Sequence, residues 1–219
     1  MFEEIIQLLA FSKRSLFWLP EAGVGYYPVS PADYPYNEAY FEKYEKYSQT
    51  ELGKRLNEFR LGLTAKYIDG ERLIDIGIGS GSFIEARGEP TYGFDINPIA
   101  VSWLQNLNLF RYPEIRRNDG QPIVNASFWD SFEHLPDPYL FIKGRSLIFL
   151  SLPIFEGPDH VLNSKHYRKD EHYWYWTKEG LISWYDRMKF EMIEYSTGES
   201  ELGREDIATF VFRKKATEN

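Results

Sequence analysis

The sequence contains no cysteine. Disulfide bonds, thiolate nucleophiles and cysteine-ligated zinc are therefore all excluded. The absence fits a reducing compartment, and we expect the protein to be cytoplasmic.

Long apolar runs are also missing from the sequence. The stretch MFEEIIQLLAF near the start carries Glu3 and Glu4 where a secretory signal would carry positive charge, and Lys13 and Arg14 soon interrupt it. This stretch predicts a short amphipathic helix. No run approaches the roughly 18 apolar residues of a membrane span, so we expect no membrane partner.

Positive charge is scarce as well, since 25 Lys and Arg residues stand against 33 Asp and Glu, giving a formal net charge of -8. Nucleic-acid binding draws its affinity from clustered basic side chains, so this balance disfavours such a partner. Aromatic residues, by contrast, make up 17% of the chain, which suggests an aromatic-rich cap or pocket. The 219 residues are enough for one full-sized domain with a modest extension.

We predict that extension as an N-terminal appendage over residues 1–50, followed by the main domain over residues 51–219. Residues 17–36 are rich in Pro, Gly and Tyr, a composition that favours loops or extended segments. A helix is expected over residues 37–47, and Ser48 followed by Glu51 predicts a capping box that starts a second helix. Several tyrosines of the appendage could either pack it onto the domain or close over a substrate pocket. They are Tyr26, Tyr27, Tyr34, Tyr36, Tyr40 and Tyr44.

Downstream of the appendage, strand-like runs alternate with helical segments. The predicted strands are RLIDI, TYGFDI, PIVNASFW, RSLIFLSL, KFEMIEY and DIATFVF, and the polar residues 116–120 could contain one more. Helices are expected from about Ser82, over residues 98–107, and after Thr177 through about Met188. The alternation predicts an α/β fold with a mostly parallel sheet covered on both faces, and the last two strands predict an antiparallel hairpin.

One strand-to-helix turn carries the clearest functional signal. Gly77, Gly79 and Gly81 follow Asp75 directly after a predicted strand and precede a predicted helix. Such a turn lets a ligand approach the backbone, and the helix N-terminus offers free N–H donors. Asp95 ends the next strand, where a carboxylate can accept hydrogen bonds from both hydroxyls of a ribose. The pattern predicts a nucleotide or nucleoside site.

Together with Asn97-Pro98 at the start of the next helix, these residues resemble the first two motifs of class I S-adenosylmethionine-dependent methyltransferases. The resemblance continues through WDSFEHLPDP at residues 129–138, LIFLSLP at 147–153 and HYWYWT at 172–177, in the branch that includes ubiquinone-biosynthesis type enzymes. It covers roughly residues 72–214. The resemblance implies a Rossmann-like, doubly wound, mostly parallel seven-stranded sheet.

The resemblance also implies S-adenosylmethionine as the cofactor and a set of residues that hold it. The three glycines, Gly77, Gly79 and Gly81, would line the methionine and ribose portion. Asp75 would hold the amino group directly or through water, and Asp95 would take the ribose hydroxyls. The resemblance adds Asn97, Trp129 and Asp130 to the cofactor site. The loop over residues 116–120 departs from the acidic position that usually meets the adenine.

Candidate catalytic residues follow the predicted strand PIVNASFW: Asp130, Glu133 and His134. His134 could act as a base, since its charge state is adjustable near neutral pH, or it could cap a helix start. His172 is expected to pack among aromatic neighbours. The four histidines show no tight metal-binding spacing, so the sequence predicts no metal.

Alternatives to a methyltransferase remain open at this point. The same glycines could belong to a nicotinamide-dinucleotide oxidoreductase, although that fingerprint requires its third glycine at position 82, where the chain has serine. A protein of this fold could also bind the cofactor or a partner without catalysis. For a methyltransferase, the acidic charge favours a small molecule or sugar as the acceptor, and the fold alone does not choose among acceptors.

Overall fold

The protein is described by a computed structural model that covers residues 15–88, 90–113 and 122–216. The predicted amphipathic N-terminal helix and the polar stretch at 116–120 lie outside these ranges. The strands are β1 (Phe17–Leu19), β2 (Val24–Tyr26), β3 (Leu73–Ile76), β4 (Thr91–Phe94), β5 (Asn125–Trp129), β6 (Leu147–Pro153), β7 (Trp174–Trp176), β8 (Phe190–Ser196) and β9 (Ile207–Lys214). The α-helices are α1 (Glu38–Ser48), α2 (Glu51–Tyr67), α3 (Ser82–Arg87), α4 (Pro98–Asn106), α5 (Pro138–Ile142), α6 (Pro158–Asn163), α7 (Lys178–Arg187) and α8 (Gly198–Glu201).

The central sheet has six strands in the order β4-β3-β5-β6-β9-β8. Its first four strands run parallel, while β9 is antiparallel to both β6 and β8. The predicted α/β class, the mostly parallel sheet and the terminal hairpin are confirmed.

The predicted count of seven strands is wrong by one within the described residues. At the β4 edge, only an isolated bridge between Gly93 and Phe110 forms where a seventh strand would add. Gly93 donates to the Leu109 carbonyl at 3.0 Å and accepts from the Arg111 N–H at 2.9 Å. Pro113 follows and has no N–H with which to extend the pairing.

A second, three-stranded antiparallel sheet has the order β1-β2-β7. It includes short strands inside residues 17–36, for which the composition had favoured loops or extended segments. Tyr26 of β2 pairs with Trp174 of β7, so the N-terminal region is hydrogen-bonded to the late aromatic segment. The aromatic segment is therefore itself a strand.

The core lies on both faces of the central sheet. On β6, Ile148 and Leu150 join the cluster that includes α7 and the small sheet, whereas Phe149 joins a cluster with Leu63 of α2 and Phe83 of α3. Successive side chains of a strand point to opposite faces, so a run buried on both sides is apolar at nearly every position.

Two helix N-caps predicted from the sequence can be compared with the structure. Thr177 accepts from the Gly180 N–H at 3.0 Å and starts α7 as predicted. The predicted capping box at Ser48 is wrong, because Thr50 caps α2 by accepting from the Gly53 N–H at 3.0 Å. Ser48 still belongs to α1, where its hydroxyl donates to the Glu45 carbonyl. Among the described residues, no helix is long and apolar enough to cross a membrane.

Candidate functional site

A cleft of about 820 Å³ opens at the carboxyl ends of β3, β4 and β5. The chain runs from β3 to β4 on one side and then to β5 on the other, so the cleft lies where the strand order reverses. This is where open α/β sheets bind ligands. All of the predicted cofactor residues except Gly81 line the cleft, and so do all three predicted catalytic residues.

The three glycines of the turn differ in what they face. All have left-handed backbone, with φ of 76° at Gly77, 57° at Gly79 and 80° at Gly81. A Cβ at Gly77 would lie 2.5 Å from the Cβ of Ser131, and one at Gly81 would lie 2.6 Å from the Trp103 ring. A Cβ at Gly79 meets no described atom within 4 Å. Gly77 and Gly81 therefore permit close packing, and Gly79 leaves space for a ligand.

Asp75 is a buried carboxylate beside this turn, with 1% of its surface exposed. It accepts a hydrogen bond from the Ser127 hydroxyl at 2.7 Å. Burial raises the pKa of Asp75 to about 7, against the lowering effects of that hydrogen bond and of Arg60. A cationic ligand group in the cleft would stabilise the charged form of such a carboxyl group.

Asp95 follows β4 and faces the glycine turn. Its carboxylate accepts from the backbone N–H groups of Ile78 and Gly79, and from that of Asn97 at 2.8 Å. Burial nevertheless raises its pKa. Asn97 caps α4 by accepting from the Ile99 N–H, and its amide donates to the Asn37 carbonyl at 3.1 Å. Asn97 thus ties the start of α4 to the start of α1 at the rim of the cleft.

Trp129 and Asp130 end β5 at the cleft. The Trp129 ring packs against Phe83, and the Arg60 guanidinium lies 5.1 Å from the ring centroid. Asp130 has left-handed backbone, with φ of 57°, and pairs with Arg60 at 3.0 Å and with Arg204 at 2.8 Å. Although burial acts to raise it, these two arginines lower the pKa of Asp130 to about 2. A carboxylate this acidic is a weak base, so its position favours a structural role over the predicted catalytic one.

A charge cluster that was not predicted from the sequence surrounds Asp130. Glu199 is fully buried, accepts from Arg60 Nε and from the Ser151 hydroxyl at 2.8 Å each, and also pairs with Arg204. Two arginines and two carboxylates therefore balance in charge. Arg60 lies 70 residues from Asp130 and 139 residues from Glu199 along the chain, and each alone looks like a surface residue in the sequence.

Glu133 and His134 lie in a 3-10 turn, Phe132–His134, which begins two residues after Asp130. Burial, reinforced by Asp130, raises the pKa of Glu133 well above its usual range. Burial also lowers the pKa of His134 to about 4, so its imidazole is neutral at physiological pH. Its Nδ1 lies 2.9 Å from the Tyr36 hydroxyl.

His172 completes a buried group with these two residues. Its ring stands edge-on to that of His134 with centroids 4.5 Å apart, and burial lowers its pKa well below the usual value. The expected packing among aromatics is present, since Tyr175 lies 6.0 Å away between centroids, but His172 also lines the cleft. The sequence does not reveal this grouping, because α5, β6 and α6 separate His134 from His172 along the chain.

Tyrosines before and within α1 form the remaining wall of the cleft. Tyr34 bonds the Tyr173 hydroxyl at 2.7 Å, and Tyr40 donates to Glu171 at 2.8 Å. Tyr34, Tyr36, Tyr40 and Tyr44 all line the cleft. The two alternatives for these side chains are therefore compatible, because the same tyrosines pack the appendage onto the domain and face the ligand space.

No protein-family model matches the sequence, and no curated protein matches it significantly. Solved structures do match the fold. A Clostridium acetobutylicum S-adenosylmethionine-dependent methyltransferase is 10% identical, with 82% of this chain and 100% of that chain covered and a TM-score of 0.56. A Thermotoga maritima methyltransferase, described as a possible histamine N-methyltransferase, is 16% identical, with 81% and 97% covered and a TM-score of 0.56.

A third match, the [4+2]-cyclase SpnF, is 12% identical, with 75% of this chain and 81% of that chain covered and a TM-score of 0.54. The chain thus has the Rossmann-like fold found in S-adenosylmethionine-dependent methyltransferases. A fold hosts more than one chemistry, so the reaction must be argued from the site.

Proposed function

We propose that the protein is an S-adenosylmethionine-dependent methyltransferase acting on a small, hydroxyl-bearing acceptor such as a sugar. The observation that carries the proposal is the convergence of Asp75, Gly79 and Asp95 on one cleft where the strand order reverses. The buried Asp75 suits an ammonium group, and the open Gly79 lets a ligand approach the backbone closely. Asp95, at the end of its strand, suits a ribose.

The cofactor half of the cleft is supported by the chemistry of its side chains. Asp75 is a buried carboxyl group with no ion pair among the described residues, which suits the cofactor's ammonium group. Gly79 leaves open the space that a Cβ would fill, and Asp95 offers oxygen acceptors beside it. Held by these residues, S-adenosylmethionine would supply a sulfonium methyl group for transfer to an acceptor oxygen, with the electron pair of the C–S bond left on its sulfur.

The residues of this chain must position the acceptor and accommodate its proton. Positioning alone supplies much of the catalysis when a nucleophile is aligned with its target. Glu133 and His134 are the groups we assign to the acceptor side, because Glu133 is buried, His134 is largely buried and both line the cleft. Burial lowers the pKa of His134, and the resulting neutral imidazole can accept the hydroxyl proton.

The lining of the cleft favours a small acceptor over a polyanion. Arg60 and Arg204 are paired with Asp130 and Glu199, and Arg168 pairs with Glu171 at 3.0 Å. The tyrosine wall adds flat apolar surface with hydroxyl groups, which suits a ring that carries hydroxyls. The net charge of -8 points the same way.

Calorimetry with S-adenosylmethionine, its demethylated product and NAD tests the cofactor class. We expect binding of the first two and none of NAD. Binding of NAD alone would overturn the proposal in favour of an oxidoreductase. A panel of hydroxylated small molecules with methyl-labelled cofactor then tests transfer, and cofactor binding without any transfer would favour a non-catalytic protein or another chemistry.

A further inference from the structure

We propose that Glu133, His134 and His172 bind a divalent transition-metal ion on the acceptor side of the cleft. One candidate ligand atom from each residue lies within 4.8 Å of the other two. Ligands at right angles around such an ion lie about 3 Å apart, because each bond is about 2.0–2.2 Å long. Drawing the three side chains together by one to two ångströms, about the scale of a rotamer adjustment, would close the site.

The buried polar atoms of this group lack partners. Across residues 15–88, 90–113 and 122–216, neither Oε2 of Glu133 nor Nδ1 of His172 has a hydrogen-bond partner. Glu133 is 2% exposed and His172 is 3% exposed. Leaving such atoms unsatisfied is costly, and buried charges are normally paired or coordinate a metal. One cation between them satisfies both atoms.

The outward nitrogen of each imidazole is already held. Tyr36 lies against Nδ1 of His134, which leaves Nε2 directed to Glu133, 3.9 Å from Oε1. His172 hydrogen-bonds the backbone of His166, which leaves Nδ1 free. Metal-binding histidines characteristically hydrogen-bond a second group through the nitrogen that faces away from the ion. The arrangement presents one free nitrogen from each ring.

Charge around the group also favours a cation. The neighbouring guanidinium groups are held by other carboxylates, Arg204 by Asp130 and Glu199 and Arg168 by Glu171. Glu133 therefore has no cationic partner of its own among the described residues.

The donor set selects the kind of ion. Two imidazole nitrogens and one carboxylate, with positions left open, suit Zn²⁺, Co²⁺, Mn²⁺ or Fe²⁺ better than Mg²⁺, which prefers oxygen ligands. All three residues line the cleft, so the open positions face the space assigned to the acceptor. This deepens the proposed function and rests on it, because an ion there would bind an acceptor oxygen and ease loss of its proton to solvent. His134 is then a ligand rather than the base.

The test uses the full chain stripped with a chelator and titrated with Co²⁺, followed by visible absorption and calorimetry. We expect saturation at one equivalent, with the d–d bands of nitrogen and oxygen coordination. Glu133→Gln and His172→Ala should each weaken Co²⁺ binding at least about 10-fold. His160→Ala is the matched control, because His160 pairs with Asp206 away from this group and should leave binding unchanged.

Affinity for S-adenosylmethionine, measured on the same samples, reports whether each variant keeps a folded cleft. Failure of Co²⁺ to saturate in a protein that binds the cofactor would overturn the metal site and leave the proposed function standing. Co²⁺ affinity unchanged in both Glu133→Gln and His172→Ala would overturn it as well. One-equivalent Co²⁺ binding that these two substitutions weaken, in a chain that does not bind the cofactor, would support the metal site and contradict the methyltransferase.

Discussion

The Tyr36 hydroxyl lies 2.9 Å from Nδ1 of His134 and so joins the N-terminal region to the turn after β5. Tyr36→Phe removes this partner and leaves a buried nitrogen unsatisfied, which costs on the order of 1–3 kcal/mol. We expect lower turnover and weaker Co²⁺ binding in this variant. Tyr34→Phe is the control, because it loses a hydroxyl in the same wall that bonds Tyr173 instead. Equal effects of the two substitutions on Co²⁺ affinity would contradict a role for Tyr36 in orienting His134.

Gly79→Val should abolish cofactor binding while the fold persists. Its side chain would enter the open space of the cleft, and its left-handed backbone would add about 1–2 kcal/mol of strain. Gly70→Val isolates that strain, since Gly70 has φ of 67° and equally open surroundings outside the cleft. Calorimetry and thermal melting should show similar destabilisation in both variants, with cofactor binding lost only at position 79. Normal cofactor binding by the Gly79→Val variant would show that the turn has only a structural role.

Asp95→Ala should weaken cofactor binding by a moderate factor. Loss of two hydrogen bonds to a neutral ribose, at roughly 0.5–1.5 kcal/mol each, corresponds to about 5- to 150-fold in the dissociation constant. Because Asp95 also accepts from the Ile78 and Gly79 N–H groups, Asp95→Asn, which retains one acceptor oxygen, should fall between wild type and alanine. An unchanged dissociation constant in the alanine variant would place the ribose elsewhere.

Asp75 makes the stability of the ligand-free protein depend on pH. Its pKa rises from about 3.9 unfolded to about 7 folded, so between these values the folded state binds more protons. Its contribution to stability is therefore present below about pH 4 and is lost as the pH rises through 7. Asp75→Asn removes this titration, so its stability relative to wild type should increase from pH 5 to pH 8. Urea unfolding at both values checks this, and a pH-independent difference would contradict it.

Glu199→Ala should be strongly destabilising. Breaking a buried ion pair by removing one partner costs roughly 3–5 kcal/mol, because Arg60 and Arg204 lose a fully buried counter-charge. Glu201→Ala is the control, since Glu201 is exposed on the same short helix and bonds only the Thr197 side chain. Denaturant unfolding of both variants measures the difference. Similar losses in the two would show that the cluster contributes little.

The sequence was sufficient for features that depend on local pattern. β6 is apolar at every position but Ser151 because it is buried on both faces, and Thr177 caps α7 because its hydroxyl reaches an N–H three residues on. The glycine turn was recognisable because left-handed backbone and close packing restrict those positions to glycine. Such signals lie within a few neighbouring residues.

Features that depend on distant contacts escaped the sequence. Arg60 meets Asp130 and Glu199 only after the central sheet has formed, so it carries no local signal. The grouping of His134 with His172 depends on where β6 and β7 place the later residue. The seventh strand was expected from the resemblance, whereas the described chain leaves the β4 edge after a single bridge at Phe110.

The pairing of β2 with β7 bears on how the chain can be shortened. β7 has β2 as its neighbour in the small sheet, apart from one isolated bridge between Ile154 and Trp176. A truncated protein starting at residue 51 would lose β2, together with the hydrogen bonds that Tyr27 and Gly23 make to the Tyr173 carbonyl and the Thr177 N–H, and would expose one edge of β7 beside three bulky aromatic rings. Unprotected strand edges of this kind recruit other chains, so such a fragment should aggregate on expression instead of behaving as a free-standing catalytic unit.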